Sequence, residues 1–404
     1  MGARYAGIDW AKDEHVVCVV DPEGRPVDTT RHRSDERGLG GLLSELRRRR
    51  VERVAIERPD GLLVERLLGA GLEVLAIHPN QVKAARARFR ASGGKSDAFD
   101  AFVLAELCRT DAHRFTPLRP DGDLIQALRA LTRHRQDLVE QRIRLANRLR
   151  AELERSWPGA AQIFSEVDSP IALAFLARYP APADARRLGQ KRLAAFLARH
   201  GYSGRRTSAE LLRRLEQAPK AALGAAQAEA RRCVVLDLVA CLQPVLERIR
   251  LATGHIAHLL DAHPDGALFR SLFRDPTSVV TAAELLAEIG EVRERYPDPQ
   301  ALAAEAGMSP VAVESGRQKA AVFRWACDKR LRRAFGVLAD ASRHHNPWAA
   351  KLYGEARARG KDHPHAIRIL GRAWITVIWR LWQDGVPYEP AKHRALQRLL
   401  TEGG

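Results

Sequence analysis

The stretch RYAGIDWAKDEHVVCVVD, residues 4–21, decides how the rest of the chain is read. RYAGIDW and EHVVCVVD are short apolar runs on either side of Lys12-Asp13-Glu14, which predicts two strands joined by a tight turn. Pro22-Glu23-Gly24 then turns the chain into RPVDTT, a third strand. A helix follows from Asp35 to Arg49, then a fourth strand, VERVAIE (51–57), a helical GLLVERLL, and a fifth strand, GLEVLAIH (71–78). Helical stretches cover 79–90 and 96–110. Three strands in hairpin order followed by strand–helix alternation predict a mixed sheet with helices on its faces, an order that suits a ribonuclease-H-like fold.

Beyond this α/β region the pattern becomes helical. Leu124, Leu128, Leu131, Leu138, Leu145 and Leu149 stripe one long helix from Asp123 to Trp157, interrupted by Arg135 and Arg142. A second stripe, from Val235 through Leu238, Leu242, Val245, Ile249, Ala252 and Ile256 to Leu259, is a heptad seam. Pro244 inside it predicts a kink or a division in two. The pair predicts an antiparallel arm or a dimerising coiled coil, with short helices and proline breaks over 158–224. Residues 266–404 read as helical, with Trp374, Ile375, Ile378, Trp379 and Trp382 as one buried face. The expected organisation is α/β plus all-α: a catalytic α/β domain over 1–118, a helical arm with a variable middle over 119–265, and a helical C-terminal domain over 266–404.

The 404 residues carry 66 basic and 49 acidic side chains, a net charge of +17 that predicts a polyanionic partner, nucleic acid by default. No apolar run approaches the roughly 20 residues that cross a bilayer, and MGARYAGIDW lacks a signal-peptide core. Membrane and secreted classes are excluded. The five cysteines (Cys18, Cys108, Cys233, Cys241, Cys327) are odd in number and show no C-x-x-C pair, which argues against disulfides and thiolate zinc and suits a reducing cytoplasm.

Two carboxylates end apolar strands, Asp9 in GIDW and Glu57 in VAIE. Such groups are costly in a strand unless paired or bound to metal. Asp97 and Asp100, in KSDAFDA, are spaced i, i+3 on one helix face. The four together suit hard divalent ions such as Mg²⁺ or Mn²⁺, and two such ions would clamp the attacking and leaving oxygens of a phosphodiester. Lys83, Arg86, Arg88, Arg90 and Lys95 lead into this cluster without an acid among them, as phosphate-backbone delivery requires.

GIDWAKDEH, the VAIE strand end, HPNQVKAARARFRASGGKSDAFDA and AGMSPVAVESGRQKAAVFRWACDKRLRRAF together resemble the DEDD transposases of bacterial insertion sequences, a family that also includes the Piv-type DNA invertases. The resemblance spans about 1–155 and 266–390. It implies a RuvC-like catalytic domain with Asp9, Glu57, Asp97 and Asp100 as its DEDD set. It also implies a nucleophilic serine, here Ser315 in ESGRQK, that forms a covalent serine–DNA intermediate. Arg317, Lys319, Arg324, Lys329, Arg330, Arg332 and Arg333, against the single acid Asp328, form a basic strip after that serine. Double-stranded DNA, as element ends and target, and a structured noncoding guide RNA are the implied partners. A bacterial, nucleoid-associated cytoplasmic location is implied as well, and the heptad seam, together with a site that needs parts of both domains, predicts a homodimer or homotetramer. In one departure, FRDPTSVVTAAELLAEIG has no glycine between Phe273 and Leu286, where relatives carry a glycine-rich hairpin.

Alternatives use the same residues differently. A Mg-dependent RuvC-like nuclease or junction resolvase would employ water in place of Ser315, and a Piv-type invertase would differ only in substrate layout. An actin-like ATPase shares the G-I-D strand but requires a second glycine-rich phosphate loop, which the sequence lacks. A catalytically inert nucleic-acid-binding protein would show no metal-dependent cleavage.

Overall fold

The computed structural model describes residues 3–89, 96–219, 221–275, 278–315 and 318–402. The chain divides into two compact units, Met1–Gly122 and Asp123–Gly404.

In the first unit, β1 (Arg4–Asp9), β2 (Glu14–Val20), β3 (Pro26–Arg33), β4 (Val51–Ile56) and β5 (Glu73–Ala76) form one sheet in the order β3-β2-β1-β4-β5. The first three strands are antiparallel, and β4 and β5 run parallel to β1. This is the mixed, ribonuclease-H-like order expected from the hairpin run and the alternation after it. The helices are α1 (Glu36–Arg48), α2 (Leu62–Gly69), α3 (Pro79–Phe89) and α4 (Asp97–Thr110). Alternate residues of each strand face opposite sides. Ala6, Ile8, Val17, Val54 and Ile56 pack on Leu42, Leu46 and Leu67 of α1 and α2. On the other face Val16, Cys18 and Val20 meet Ala101 and Ala105 of α4. α4 comes close to β1 at Gly7, where an added Cβ would lie 2.1 Å from the Ala101 carbonyl oxygen and 2.3 Å from the Ala105 nitrogen. Only a residue without a side chain permits that approach.

In the second unit α5 (Asp123–Ser156) is followed by α6 (Pro158–Gln162), α7 (Pro170–Arg178), α8 (Gln190–Arg199) and α9 (Ser208–Gln217), then by α10 (Ala225–Ala262). α5 and α10 are antiparallel: Arg135 Nε donates to Thr253 Oγ1 at 2.8 Å, and Arg231 Nη1 donates to Glu152 Oε1 at 2.6 Å. The heptad seam therefore faces α5 of the same chain, forming an arm within one molecule. α10 runs through Pro244 as a single helix, so of the two expected outcomes the division in two does not occur. The proline removes one backbone donor, but Leu242 and Ala252 on either side of it are buried and hold the segment in place.

Two cores occupy opposite ends of this pair. Leu149, Leu153 and Trp157 pack with Phe175, Phe196, Leu211 and Leu238 at one end. Ile125, Leu128, Ile256 and Leu260 join the C-terminal core at the other. That core is built from α11 (Gly266–Arg270), α12 (Val279–Ile289), α13 (Pro299–Glu305), α14 (Lys329–Ser342), α15 (Pro347–Ala358) and α16 (His363–Asp384), with α17 (Arg394–Glu402) following. Trp374, Ile375, Ile378 and Trp382 are buried in it as expected, and Trp379 is partly so. An antiparallel hairpin, β6 (Val311–Ser315) and β7 (Gln318–Val322), departs from the all-helical expectation for 266–404. Among the described residues no helix is long and apolar enough to cross a membrane.

Candidate functional site

Parallel pairing of β1 with β4 sets Ile8 opposite Ile56, so the next residues, Asp9 and Glu57, emerge side by side at the carboxyl ends of adjacent strands. That rim is where open α/β sheets place ligands. The direction of α4 brings the other two carboxylates to the same end. Near its C-terminus, Arg109 Nη1 donates to the Pro22 carbonyl at 3.2 Å, in the turn after β2. That turn adjoins the start of β1, because Tyr5 pairs with Val20. The helix N-terminus is therefore at the end of β1. From the close approach at Gly7, Asp9 lies about 7 Å along the strand. Asp100 and Asp97 precede Ala101 by about 1.5–6 Å along the helix axis. Ser96 caps the helix, its Oγ accepting from Phe99 N at 3.3 Å, so Asp97 is the first helical residue and not the cap. Arg31 is held protonated chiefly by its hydrogen bond to Glu14, with Asp97 a lesser cause. The strand register sets Arg31 opposite Val16, which faces Asp9, so Asp97 again falls at this end of the sheet.

The four carboxylates share a rim but not one environment. Asp97 is exposed, Asp9 and Glu57 are half-buried, and Asp100 is 2% exposed. Arg86 of α3 clamps Asp100 with both prongs, Nε at 2.6 Å and Nη2 at 2.8 Å. Among the described residues no three His, Cys, Asp or Glu side chains are gathered closely enough to hold a metal ion. The donor set is all carboxylate oxygen and fits a hard divalent cation. Arg86 is the competitor for its most buried member.

Of the basic residues expected to deliver phosphate, Lys83 is exposed on α3. Arg86 is engaged by Asp100, and Arg88 lies 3.4 Å from Asp111. Arg90 and Lys95 lie outside the described residues. Beside the rim, Trp10 follows Asp9 and Arg58 follows Glu57, with the Arg58 guanidinium 4.3 Å from the Trp10 ring centroid. Adjacency to the two acids was the signal that marked this pair, and sequence reasoning passed over it.

In the second unit Ser315 ends β6, in register with Gln318 across the hairpin. Arg317 lies outside the described residues, and Lys319 is placed by its backbone pairing with Glu314. The remaining cations of the strip diverge. Lys329 is exposed at the start of α14. Arg333 donates to buried Glu284 at 2.6 Å, and Arg330 lies 3.9 Å from Asp137. Burial raises the Glu284 pKa, and the Arg333 charge opposes that rise. Arg332 donates to the Arg324 carbonyl and to Cys327 Sγ, while Arg324 Nε donates to the Ser309 carbonyl at 3.2 Å. Part of the strip thus braces the fold. The stretch expected to lack its glycine hairpin lies partly outside the described residues, at 276–277.

Comparison with known proteins agrees with this layout. A profile described as a transposase of the DEDD IS110 type matches residues 6–158, which include all four carboxylates. A second, described as the transposase IS116/IS110/IS902 family, matches residues 277–354, which include Ser315. The mini-circle protein of IS117 from Streptomyces coelicolor is 34% identical, over 98% of this chain and 97% of its own. The 44.8 kDa protein of insertion element IS116 from Streptomyces clavuligerus is 29% identical over 96% of both chains. The 42 kDa protein of IS900 from Mycobacterium paratuberculosis is 29% identical over 96% and 97%. The solved structure of T. thermophilus RuvC in complex with a Holliday junction substrate is similar at 20% identity and a TM-score of 0.24, covering 29% of this chain and 99% of that one. At that score the likeness says nothing of this chain's geometry.

Proposed function

The chain belongs to the IS110/IS116/IS902 family of insertion-sequence transposases, and on that premise we propose that it cuts and rejoins DNA through a covalent intermediate on Ser315, with Asp9, Glu57, Asp97 and Asp100 as the carboxylates of the metal-dependent site. The observation that carries this reading is the rim itself: two strand-end acids side by side, with the N-terminus of α4 bringing two more to the same end. Asp9, Glu57, Asp97 and Asp100 would hold the cation after drawing closer together than they stand here, with Arg86 releasing Asp100. A bound divalent ion would polarise the phosphodiester and stabilise charge developing on its oxygens.

The chain's own part is a transesterification. The Ser315 hydroxyl loses its proton to a base or to water and its oxygen attacks phosphorus. The new serine–phosphate ester replaces the bond to a sugar oxygen, which leaves and takes up a proton. Attack by a sugar hydroxyl on that ester reverses the step, joins a new strand and frees the serine, with no outside energy source because one ester replaces another. In this reading the partners are double-stranded DNA and a structured guide RNA, the working assembly holds more than one copy of the chain, and two Mg²⁺ or Mn²⁺ ions serve the site.

The test is a search for covalent protein–DNA adduct in cells carrying the gene with its native flanking DNA. Adduct in the wild type, absent from Ser315→Ala and from Asp9→Ala, is the expected result. Nicked DNA without adduct, unchanged in Ser315→Ala, would replace this reading with hydrolysis by water. RNA co-purifying with the wild-type protein, sequenced from the same cells, tests the guide.

A further inference from the structure

At the base of the β6–β7 hairpin, away from its Ser315 end, a cleft of about 380 Å³ opens between the hairpin and one face of α16. Arg324 reaches it from the segment after β7, and Arg368 and Arg372 come from α16, with His365 one turn earlier. Among the described residues no acidic side chain lines it. None of the three arginines has an ion-pair partner among the described residues: Arg324 donates to the Ser309 carbonyl, Arg372 Nη2 donates to Gln300 Oε1 at 2.8 Å, and the Arg368 guanidinium sits 4.9 Å from the Phe323 ring centroid. Three unneutralised cations facing one space call for an anion.

A second observation is independent of charge. Ser309, 9% exposed and lining the same cleft, has a buried Oγ without a hydrogen-bond partner. Buried hydroxyls are satisfied in native structures unless a ligand or water completes them. The remaining wall is apolar, supplied by Met308, Val322, Phe323 and Ile369. Trp325 stands beside the cleft, 77% exposed, edge-on to Phe323 with ring centroids 4.7 Å apart. Arginines, a hydrogen-bonding hydroxyl, an apolar wall and a neighbouring exposed indole are what a single-stranded nucleic acid requires: phosphate on the cations and bases stacked on aromatic faces.

We infer that this cleft holds one unpaired nucleotide of a nucleic-acid strand, its phosphate on Arg368 and Arg372, its polar edge on Ser309 Oγ, and the adjoining base on Trp325. The volume suits a small ligand and excludes a duplex. From Val311 to Ser315 the strand rises about 13 Å, so the cleft grips the strand a short way from the serine. This inference deepens the proposed strand transfer by assigning the unpaired strand a seat.

The full-length protein is titrated with a fluorescein-labelled oligothymidylate of about twelve nucleotides, the matching oligouridylate, and a duplex, at several salt concentrations. Arg368→Ala with Arg372→Ala is expected to weaken oligonucleotide binding about tenfold or more and to flatten the salt dependence by roughly one to two charges. Duplex affinity stays within about twofold. Trp325→Ala, at an exposed position, costs the single strand about tenfold and keeps the wild-type melting temperature. Loss confined to the DNA probe assigns the seat to DNA, loss confined to the RNA probe assigns it to RNA, and loss of both assigns it to their shared chemistry. If the double variant does not fold, Arg372→Ala and Trp325→Ala carry the test. Oligonucleotide affinity unchanged in these folded variants overturns the inference, whatever the adduct assay returns. Absence of a Ser315-dependent adduct, with the affinity losses present, overturns the strand-transfer reading and leaves the seat standing.

Discussion

In the first unit, Arg86 at the carboxylate rim is locked to Asp100 by two short hydrogen bonds, and Asp100 is almost wholly buried. In the second unit, Arg324, Arg368 and Arg372 face a cleft with no acid among the described residues of its lining. The two regions draw on the same residue type, and a net charge of +17 counts them alike. What separates them is the neighbouring element. α4 brings a buried carboxylate to α3, whereas α16 brings more cations to the hairpin. A guanidinium is available to a phosphate only where the fold has not already given it an anion.

The contrast breaks most completely at the chemistry. Ser315→Ala and Asp9→Ala, one substitution in each unit, are both expected to lower strand transfer by at least about 10³-fold. A Ser315→Ala protein that still transfers strands would leave the carboxylate rim as the whole of the chemistry. Next in size is Gly7→Ala. Its methyl group would collide with α4 backbone, and a loss of about 3 kcal/mol in urea unfolding is expected. A loss under about 1 kcal/mol would mean that α4 can shift off the sheet, and with it Asp97 and Asp100.

Arg86→Met sharpens the comparison directly. It leaves Asp100 buried without its partner and should cost about 2 kcal/mol without metal, less than a fully buried pair because Arg86 is 26% exposed. Added Mn²⁺ should then raise its melting temperature more than that of the wild type. Equal gains in the two proteins would show that Arg86 does not compete with the metal. Smallest is the pH effect. Burial, with His32 adding a like charge, lowers the His15 pKa, and burial alone lowers that of His393 in the other unit. As pH falls below 6.5, the ordinary histidine value, the unfolded chain takes up protons that these folded imidazoles refuse, so stability declines from there toward their lowered values. His15→Leu and His393→Leu should each flatten that slope, and a slope unchanged in both would rule the two histidines out as its source.

The sheet was legible because its signals are local. Short strands of four to eight residues, most of them apolar and bounded by turns, leave few alternatives, and Asp9 and Glu57 stand out as acids at the ends of two of them. The two long helices were equally plain from their 3–4 leucine spacing. The β6–β7 hairpin was not, because VAVES and QKAAV carry no period-two alternation and the helical stretches around them dominated the pattern. His365, Arg368 and Arg372 share one face of α16, and that spacing was available. Nothing in one dimension tells that Ser309 lies opposite them. The Arg86–Asp100 clamp was hidden for the same reason: fourteen residues separate the pair, and only the packing of α3 against α4 brings them together.

The antiparallel pair of α5 and α10 also works as a gauge. A helix of 34 residues is about 51 Å long, and it carries one hydrophobic core at each end. Seven residues added to both partners would move those cores apart by about 10 Å and bring every side chain back to nearly its former face. Increments of about 11 or 18 residues would do the same, whereas those far from a whole number of turns would swing the cap of α6–α9 by about 100° per residue. The reach of the cap is therefore a digital quantity, adjustable only by increments near whole numbers of helical turns, while its loops vary continuously.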